Sequence, residues 1–361
     1  MSALETHEEL VARMLARVPS EPYIKTKDID GIVQYMKSPQ CNKILVMAGA
    51  GISTAAGIPD FRSPGTGLYA VFELGYLLDH PDAFYTLARE LRPERFWPTV
   101  THLFIKLLAD KDCLERRAGI PAELIIEAHG SFATQHCLKC KQAFPDSEFA
   151  AHLRAGTIPR CVLPASASSS AHLELNSGEE SDVPVLCHGL VKPDIVFFGE
   201  PLPRAFFDGF PHTLDADLLL IMGTSLKVHP FASLADMGVC PRVLVNRDPA
   251  GDIGTQPDDV VLLMNCDDAV RQIAQGMGWE AELEALVRAR TALPSEAKEA
   301  TAESEDANLQ RIVANVSRVV GMKKPADDVD ELLAELSKLD LEMETKAGKR
   351  MLAAVHTNIS D

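Results

Sequence analysis

The chain has 361 residues, 46% of them apolar and 24% charged, a globular composition that excludes a wholly disordered polymer and suggests about two domains. Thirty-five basic residues against 52 acidic ones leave a net charge of −17; a phosphate-backbone binder needs the opposite balance, so direct nucleic-acid binding is disfavoured. No apolar run approaches the ~18 residues of a membrane span, and the opening Met1-Ser2-Ala3-Leu4-Glu5 lacks the apolar core of a secretion signal.

Leu10, Val11, Met14, Leu15 and Val18 share one helical stripe that breaks at Pro19 and Pro22, which predicts a helical arm over residues 1–27. Lys43-Ile44-Leu45-Val46-Met47-Ala48 is a short apolar run ending at glycine, the pattern of a buried parallel strand. Helical spacing then runs from Phe84 to Asp110. Residues 133–188 hold four cysteines and a Ser-, Ala- and Glu-rich stretch from Ser166 to Ser181, which reads as an inserted small module with a long loop. Further apolar strands are expected at 194–198, 218–223, 242–246 and 260–263, with helical stretches between them. That alternation predicts an α/β fold, a Rossmann-like parallel sheet. From about residue 293 the chain turns charged, with one more helical stripe at Leu332, Leu333, Leu336, Leu339 and Met343. The expected division is therefore an arm (1–27), a sheet domain (28–132 and 189–290), the cysteine module (133–188) and a charged, partly helical tail (291–361).

Gly49-Ala50-Gly51-Ile52-Ser53 follows the first strand directly. Glycines there let backbone N–H groups approach a pyrophosphate at a helix start. The third glycine is Gly57, so the ordinary G-x-G-x-x-G fingerprint is not met, and such a turn is often only a turn. A hydride-transferring dehydrogenase also needs an acidic residue about 20 positions on; Tyr69, Ala70 and Val71 stand there, with Glu73 nearest. Eight cysteines in a chain without a signal point to thiols used for metal or packing in a reducing compartment. Cys137-x2-Cys140 and Cys161 make three parts of a zinc ribbon, but Pro164 stands where a fourth cysteine is due, and Cys187 is the next available. Lengthening that knuckle to about 25 residues costs roughly 2 kcal/mol of loop entropy, against about 10–16 kcal/mol for a structural zinc. His188 as the fourth ligand, or four unrelated buried thiols, are the alternatives.

The stretch Ala56-Gly57-Ile58-Pro59-Asp60-Phe61-Arg62-Ser63-Pro64-Gly65-Thr66-Gly67-Leu68-Tyr69 resembles the signature of the sirtuin family, the NAD-dependent protein deacylases. Glu127-Ala128-His129-Gly130-Ser131, Val191-Lys192-Pro193-Asp194-Ile195-Val196-Phe197-Phe198-Gly199-Glu200 and Gly223-Thr224-Ser225-Leu226 recur in the family's order. The resemblance covers roughly residues 28–290 and is strongest to the cytoplasmic class I branch of fungi and animals. It implies NAD and one structural zinc held by Cys137, Cys140, Cys161 and Cys187. It implies His129 as the catalytic base. In the family the acyl oxygen of an acetyl-lysine attacks the nicotinamide ribose, nicotinamide leaves, and the histidine deprotonates a ribose hydroxyl so that the acyl group ends on ADP-ribose. An imidazole titrates near neutral pH, which suits that role.

The implied NAD contacts are Gly49, Ala50, Gly51, Ile52 and Ser53 around the pyrophosphate, Asp60, Phe61 and Arg62 on the nicotinamide side, and Asp112. Gly223, Thr224 and Ser225 would meet phosphate or ribose, Asn246, Arg247 and Asp248 the adenine ribose, and Cys266 the adenine; Asn246 and Cys266 read equally as turn or core residues. An acetyl-lysine protein or peptide, histone- or tubulin-like, would pair as a strand between Phe198-Gly199-Glu200 and Lys227-Val228-His229-Pro230. Cytoplasmic residence is implied, with a nuclear share as the alternative, and the oligomeric state is left open.

The chain departs from the family twice. Lys111-Asp112-Cys113-Leu114-Glu115 follows the helix at once, where the family carries about ten more residues, a strand and a Thr-Gln-Asn-Ile-Asp motif; Asp112 matches the motif's last residue. Only Ala70 to His80 separates Tyr69 from the next helix, which shortens the cofactor loop. Losing one polar contact to a transition state costs about 10²–10³ in rate. Weakened turnover, or a non-catalytic NAD- or acyl-peptide-binding relative, is therefore a second reading; an altered gene sequence fits these losses as well.

Overall fold

A computed structural model describes residues 21–58, 69–92, 96–112, 124–162, 186–290 and 305–320. Six strands are present among them: β1 (Ile44–Ala48), β2 (Gly130–Cys137), β3 (Val191–Ile195), β4 (Leu218–Met222), β5 (Arg242–Asn246) and β6 (Val260–Leu263). The helices are α1 (Ile29–Met36), α2 (Leu74–Asp79), α3 (Pro81–Glu90), α4 (Val100–Asp112), α5 (Asp146–Ala155), α6 (Arg204–Asp208), α7 (Phe210–Asp215), α8 (Leu234–Met237), α9 (Cys266–Met277), α10 (Glu280–Arg290) and α11 (Glu305–Val320). Short 3-10 turns occupy Ala50–Ala56 and Tyr69–Phe72.

β1, β4, β5 and β6 form one parallel sheet in the order β1-β4-β5-β6, the α/β architecture expected. β4 reads Leu-Leu-Leu-Ile-Met, and each of its side chains is fully hidden. An unbroken apolar run is what a strand covered on both faces requires. Its alternate residues serve the two faces. Leu218, Leu220 and Met222 join Phe104, Val243 and Ile273 under α1, α4, α9 and α10, while Leu219 and Ile221 join Phe206, Leu234 and Leu244 under α6 and α8. Among the described residues β1 pairs only with β4, and Ile44, Leu45 and Val46 are half-buried. Arg242, at the start of β5, is fully buried and bonds both carboxylate oxygens of Asp259 at 2.8 Å and Asp252 at 3.0 Å. A charge is held in a core only when paired in this way.

A second core gathers the antiparallel pair β2–β3, α2, α3, α5 and α11. The strand expected at 194–198 in the parallel sheet is found here instead: β3 begins earlier, at Val191, and pairs with β2 through Cys137↔Val191 and Gln135↔Pro193. Its continuation drives Phe197 into contact with Phe72 and Phe84, ring centres 6.0 and 5.1 Å away. A short apolar run signals burial but not which sheet it joins. α11 brings Ile312 and Val316 into this core, and Arg311 Nη1 donates to Glu90 Oε2 of α3 at 2.6 Å. The stripe at Leu10–Val18, the one at Leu332–Met343 and the stretch Ser166–Ser181 lie outside the described residues. Among the described residues no helix is long and apolar enough to cross a membrane.

Candidate functional site

The carboxyl ends of β1, β4 and β5 are tied to one another by backbone bonds. Gly49 N–H donates to Met222 O (2.9 Å), Gly51 N–H to Gly223 O (2.8 Å), and Gly223 N–H to Val245 O (3.0 Å). The approach leaves no room for side chains. A Cβ on Gly49 or Gly51 would stand 2.5 or 2.7 Å from Gly223 O, and one on Gly223, whose φ is +56°, would stand 2.5 Å from Ile52 N. In an open parallel sheet the ends of the strands are where ligands bind. The Ala50–Ala56 turn begins at the same place.

Beside this glycine contact lies a cavity of about 250 Å³. Gly49, Ala50, Glu127, His129, Thr224, Ser225, Lys227, Val228 and Phe231 are among the residues that line it. Five residues expected at the site thus meet around one space. The Phe231 ring lies 6.0 Å from the His129 ring, tilted by 52°. Gly51 and Gly223 are not among the lining residues, and Ile52 is buried and belongs to the core under α4. The close-packed turn and the hydroxyls of Thr224 and Ser225 offer a close backbone approach and polar groups suited to the phosphates and ribose of a dinucleotide.

Asn246, Arg247, Asp248 and Cys266 sit farther along, at the ends of β5 and β6. Asn246 Nδ2 donates to Asp248 O (2.8 Å), and Arg247 Nε donates to Asn265 Oδ1 (3.1 Å). Burial pushes the Cys266 thiol up to about 11, so it is protonated at neutral pH; its Sγ donates to Val245 O at 3.4 Å. Asp60, Phe61 and Arg62 lie outside the described residues, and Asp112 closes α4 with its side chain outside them.

Sequence reasoning missed a support under the glycine turn. Thr99 Oγ1 donates to Ile52 O (2.8 Å), and Thr99 N–H donates to His102 Nδ1 (3.2 Å). His102 Nε2 reaches Ser53 Oγ at 3.5 Å. Burial lowers the His102 pKa to about 4, with the Asp267 carboxylate only partly opposing it. The visible signal was a Thr and His three apart at the start of an apolar helix, after Pro98.

The cysteine module is assembled from β2, the turn after it, and the segments that bring Cys161 and Cys187 alongside. Cys161 N–H donates to Gly189 O and His188 N–H to Cys161 O, at 2.9 and 3.0 Å. All four sulfurs of Cys137, Cys140, Cys161 and Cys187 lie within 4.8 Å of one another. Cys137 and Cys187 are 3.6 Å apart, Cys140 and Cys161 3.7 Å. Tetrahedral zinc with bonds of about 2.3 Å separates its sulfurs by about 3.8 Å, so the donor set fits one zinc with no open position. His188 is not part of the group, and the fourth donor is Cys187.

The chain matches the Sir2 family over residues 49–230. It is 43% identical over 289 residues to the NAD-dependent protein deacetylase hst2-1 of Emericella nidulans, covering 73% of each chain. It is 38% identical over 332 residues to the NAD-dependent protein deacetylase hst2 of Schizosaccharomyces pombe, covering 85% of this chain and 92% of that one. With the NAD-dependent protein deacetylase sirtuin-2 of Danio rerio it shares 39% over 332 residues, 79% of this chain and 81% of the other. With the glycine contact, the histidine-lined cavity and the four-sulfur cluster all carried on the matched stretch, the chain belongs to the Sir2 family.

Proposed function

We propose that this protein is an NAD-dependent protein-lysine deacetylase, with His129 as its base. The observation that carries this reading is the single cavity shared by the glycine turn, Thr224, Ser225 and His129. NAD, as co-substrate, supplies a glycosidic bond whose cleavage releases nicotinamide and leaves a ribose able to accept the acetyl group. The turn at Ala50 and Gly51, where no side chain intrudes, would lie against its phosphates, and Thr224 and Ser225 would meet its ribose hydroxyls. The His129 imidazole would take the proton of a ribose hydroxyl, with the Phe231 ring 6.0 Å away. The acetyl-lysine peptide would extend between Phe198-Gly199-Glu200 and Lys227-Val228, where main-chain pairing makes few sequence demands. Cys137, Cys140, Cys161 and Cys187 would hold a zinc that is structural. Names of the relatives support the same activity.

A second reading, an NAD- and acyl-peptide-binding protein without turnover, is favoured by one observation. The family's Gln-Asn segment has no counterpart between α4, which ends at Asp112, and Leu114-Glu115. The test is mass detection of nicotinamide and O-acetyl-ADP-ribose from an acetylated peptide. The enzyme reading expects both products from the wild type and their loss, by about 10² or more, in His129→Ala. NAD binding without products, unchanged by His129→Ala, would establish the second reading.

A further inference from the structure

Lys192, the second residue of β3, has only 6% of its surface exposed. A lysine is hidden to that degree only when its ammonium protons have acceptors. Its Nζ is 3.0 Å from Glu200 Oε2 and donates to Ile195 O (2.6 Å) and Pro193 O (3.2 Å). It also stands 4.4 Å from the centre of the Phe197 ring. Burial lowers its pKa while the Glu200 carboxylate raises it.

Every one of these partners belongs to the stretch 193–200, just past the lysine. The same Glu200 carboxylate accepts Phe197 N–H at 2.8 Å, and Glu200 N–H donates to Phe197 O at 2.9 Å. Phe198 N–H donates to Phe72 O at 2.9 Å. What remains outward is open: Phe198 is 45% exposed, and a Cβ on Gly199 would meet nothing within 4 Å. The braced stretch also carries the histidine's backbone. Val196 N–H donates to His129 O at 2.8 Å, and Gly130 pairs with Ile195. Gly130, at φ +71°, is pressed so close that a Cβ would lie 1.9 Å from Asp194 O.

We propose that Lys192 is a positioning residue, whose ammonium, through Glu200 and Ile195, fixes both the Phe198–Glu200 edge that an extended acetyl-lysine peptide pairs with and the backbone of His129. The inference deepens the deacetylase reading and rests on it. Lys192 touches neither NAD nor peptide; it acts by locking the strand they use. Removing the ammonium leaves Glu200 without its counter-charge and takes a donor from two carbonyls, so the edge loosens while the glycine contact between β1 and β4 stays as it was.

Lys192→Met and Glu200→Gln test this in the full chain, with three readouts. They are amide hydrogen exchange at residues 195–199, affinity for a fluorescent acetyl-lysine peptide, and NAD affinity by calorimetry. Lys192→Met is expected to speed exchange of the Val196 and Phe197 amides at least tenfold and weaken peptide binding at least tenfold, with NAD affinity within twofold of wild type. Lys192→Met/Glu200→Gln should bind peptide no worse than Lys192→Met, because both changes break one linkage. If Lys192→Met does not fold, Glu200→Gln, which keeps an acceptor for Phe197 N–H, is expected to weaken peptide binding at least threefold. Unchanged amide exchange or peptide affinity in a folded variant overturns the role of Lys192, as does an equal loss of peptide and NAD affinity. A wild-type protein that binds neither NAD nor peptide overturns the deacetylase reading, and the peptide role with it.

Discussion

Gly223→Ala probes whether the contact between the β1 and β4 turns builds the dinucleotide site. The new methyl would stand 2.5 Å from Ile52 N, 2.7 Å from Gly51 C and 2.9 Å from Ile52 Cγ2. Two of these are backbone atoms, which cannot rotate away. Comfortable separations begin near 3.5 Å, so the turns must part by about 1 Å. That stretches the Gly51 N–H to Gly223 O bond beyond use, worth about 1 kcal/mol. Holding alanine at φ +56° adds about 1–2 kcal/mol. The summed cost of about 3 kcal/mol corresponds to a Tm drop on the order of 10 °C. NAD affinity, measured by calorimetry, should fall at least tenfold. Gly75→Ala is the control: its added Cβ meets nothing within 4 Å, and it lies inside α2, so stability should rise by about 0.5–1 kcal/mol with NAD affinity unchanged. Wild-type NAD affinity in Gly223→Ala would show that the glycine contact is only a tight junction between strands.

Metal analysis should find one zinc per chain, and chelation should expose four thiols to a thiol reagent. Because Cys137, Cys161 and Cys187 are part of the same core as Val191 and Phe197, removal of the metal or Cys187→Ser should melt the module first and abolish peptide binding; a metal-free protein with unchanged melting would refute this. Protonation of His102 supplies a pH test. Its folded pKa of about 4 lies below the ~6.5 of an unfolded histidine, so the unfolded chain takes up a proton that the native state refuses. Stability should therefore decline as pH falls from about 6.5 to 4, by up to about 1.4 kcal/mol per unit from this group, and level off below. His102→Asn should flatten the melting curve against pH in that window; identical slopes in both proteins would count against a buried neutral imidazole.

Legibility of this molecule in its sequence followed the range of the forces involved. β4 was readable because five consecutive apolar residues need cover on both faces, a local statement about Leu218 to Met222. Cys137, Cys140 and Cys161 were readable because ligand spacing is local too. The fourth ligand was not, since the chain reaches Cys187 only after a long detour, and family resemblance supplied what spacing could not. β3 was assigned to the wrong sheet for a related reason. Apolar content says that Ile195 and Phe197 are buried, yet only the pairing of Cys137 with Val191 says against what. The docking of α11 was hidden in a charged segment, although Ile312 and Val316 stand one turn apart and Arg311 finds Glu90 across 221 positions. Lys192 and His102 are the plainest cases. A lysine and a histidine in a sequence read as surface groups, and only the acceptors gathered around them in space show that each is held inside.

The placement of His129 shows how two separate cores bear on one cavity. Ala128, before it, packs into the core beneath β4 and β5 with Leu219 and Leu244. Gly130, after it, opens β2, whose pairing with β3 belongs to the cysteine core. The histidine thus stands on the single residue step between the two, lining the same cavity as Thr224 and Ser225. Any shift of the cysteine core relative to the sheet must change the distance from its imidazole to a ligand resting on the glycine turn. On the proposed function, zinc, Lys192 and the Phe72–Phe84–Phe197 rings would act on the chemistry without touching it, because each belongs to the half of the frame from which His129 is hung.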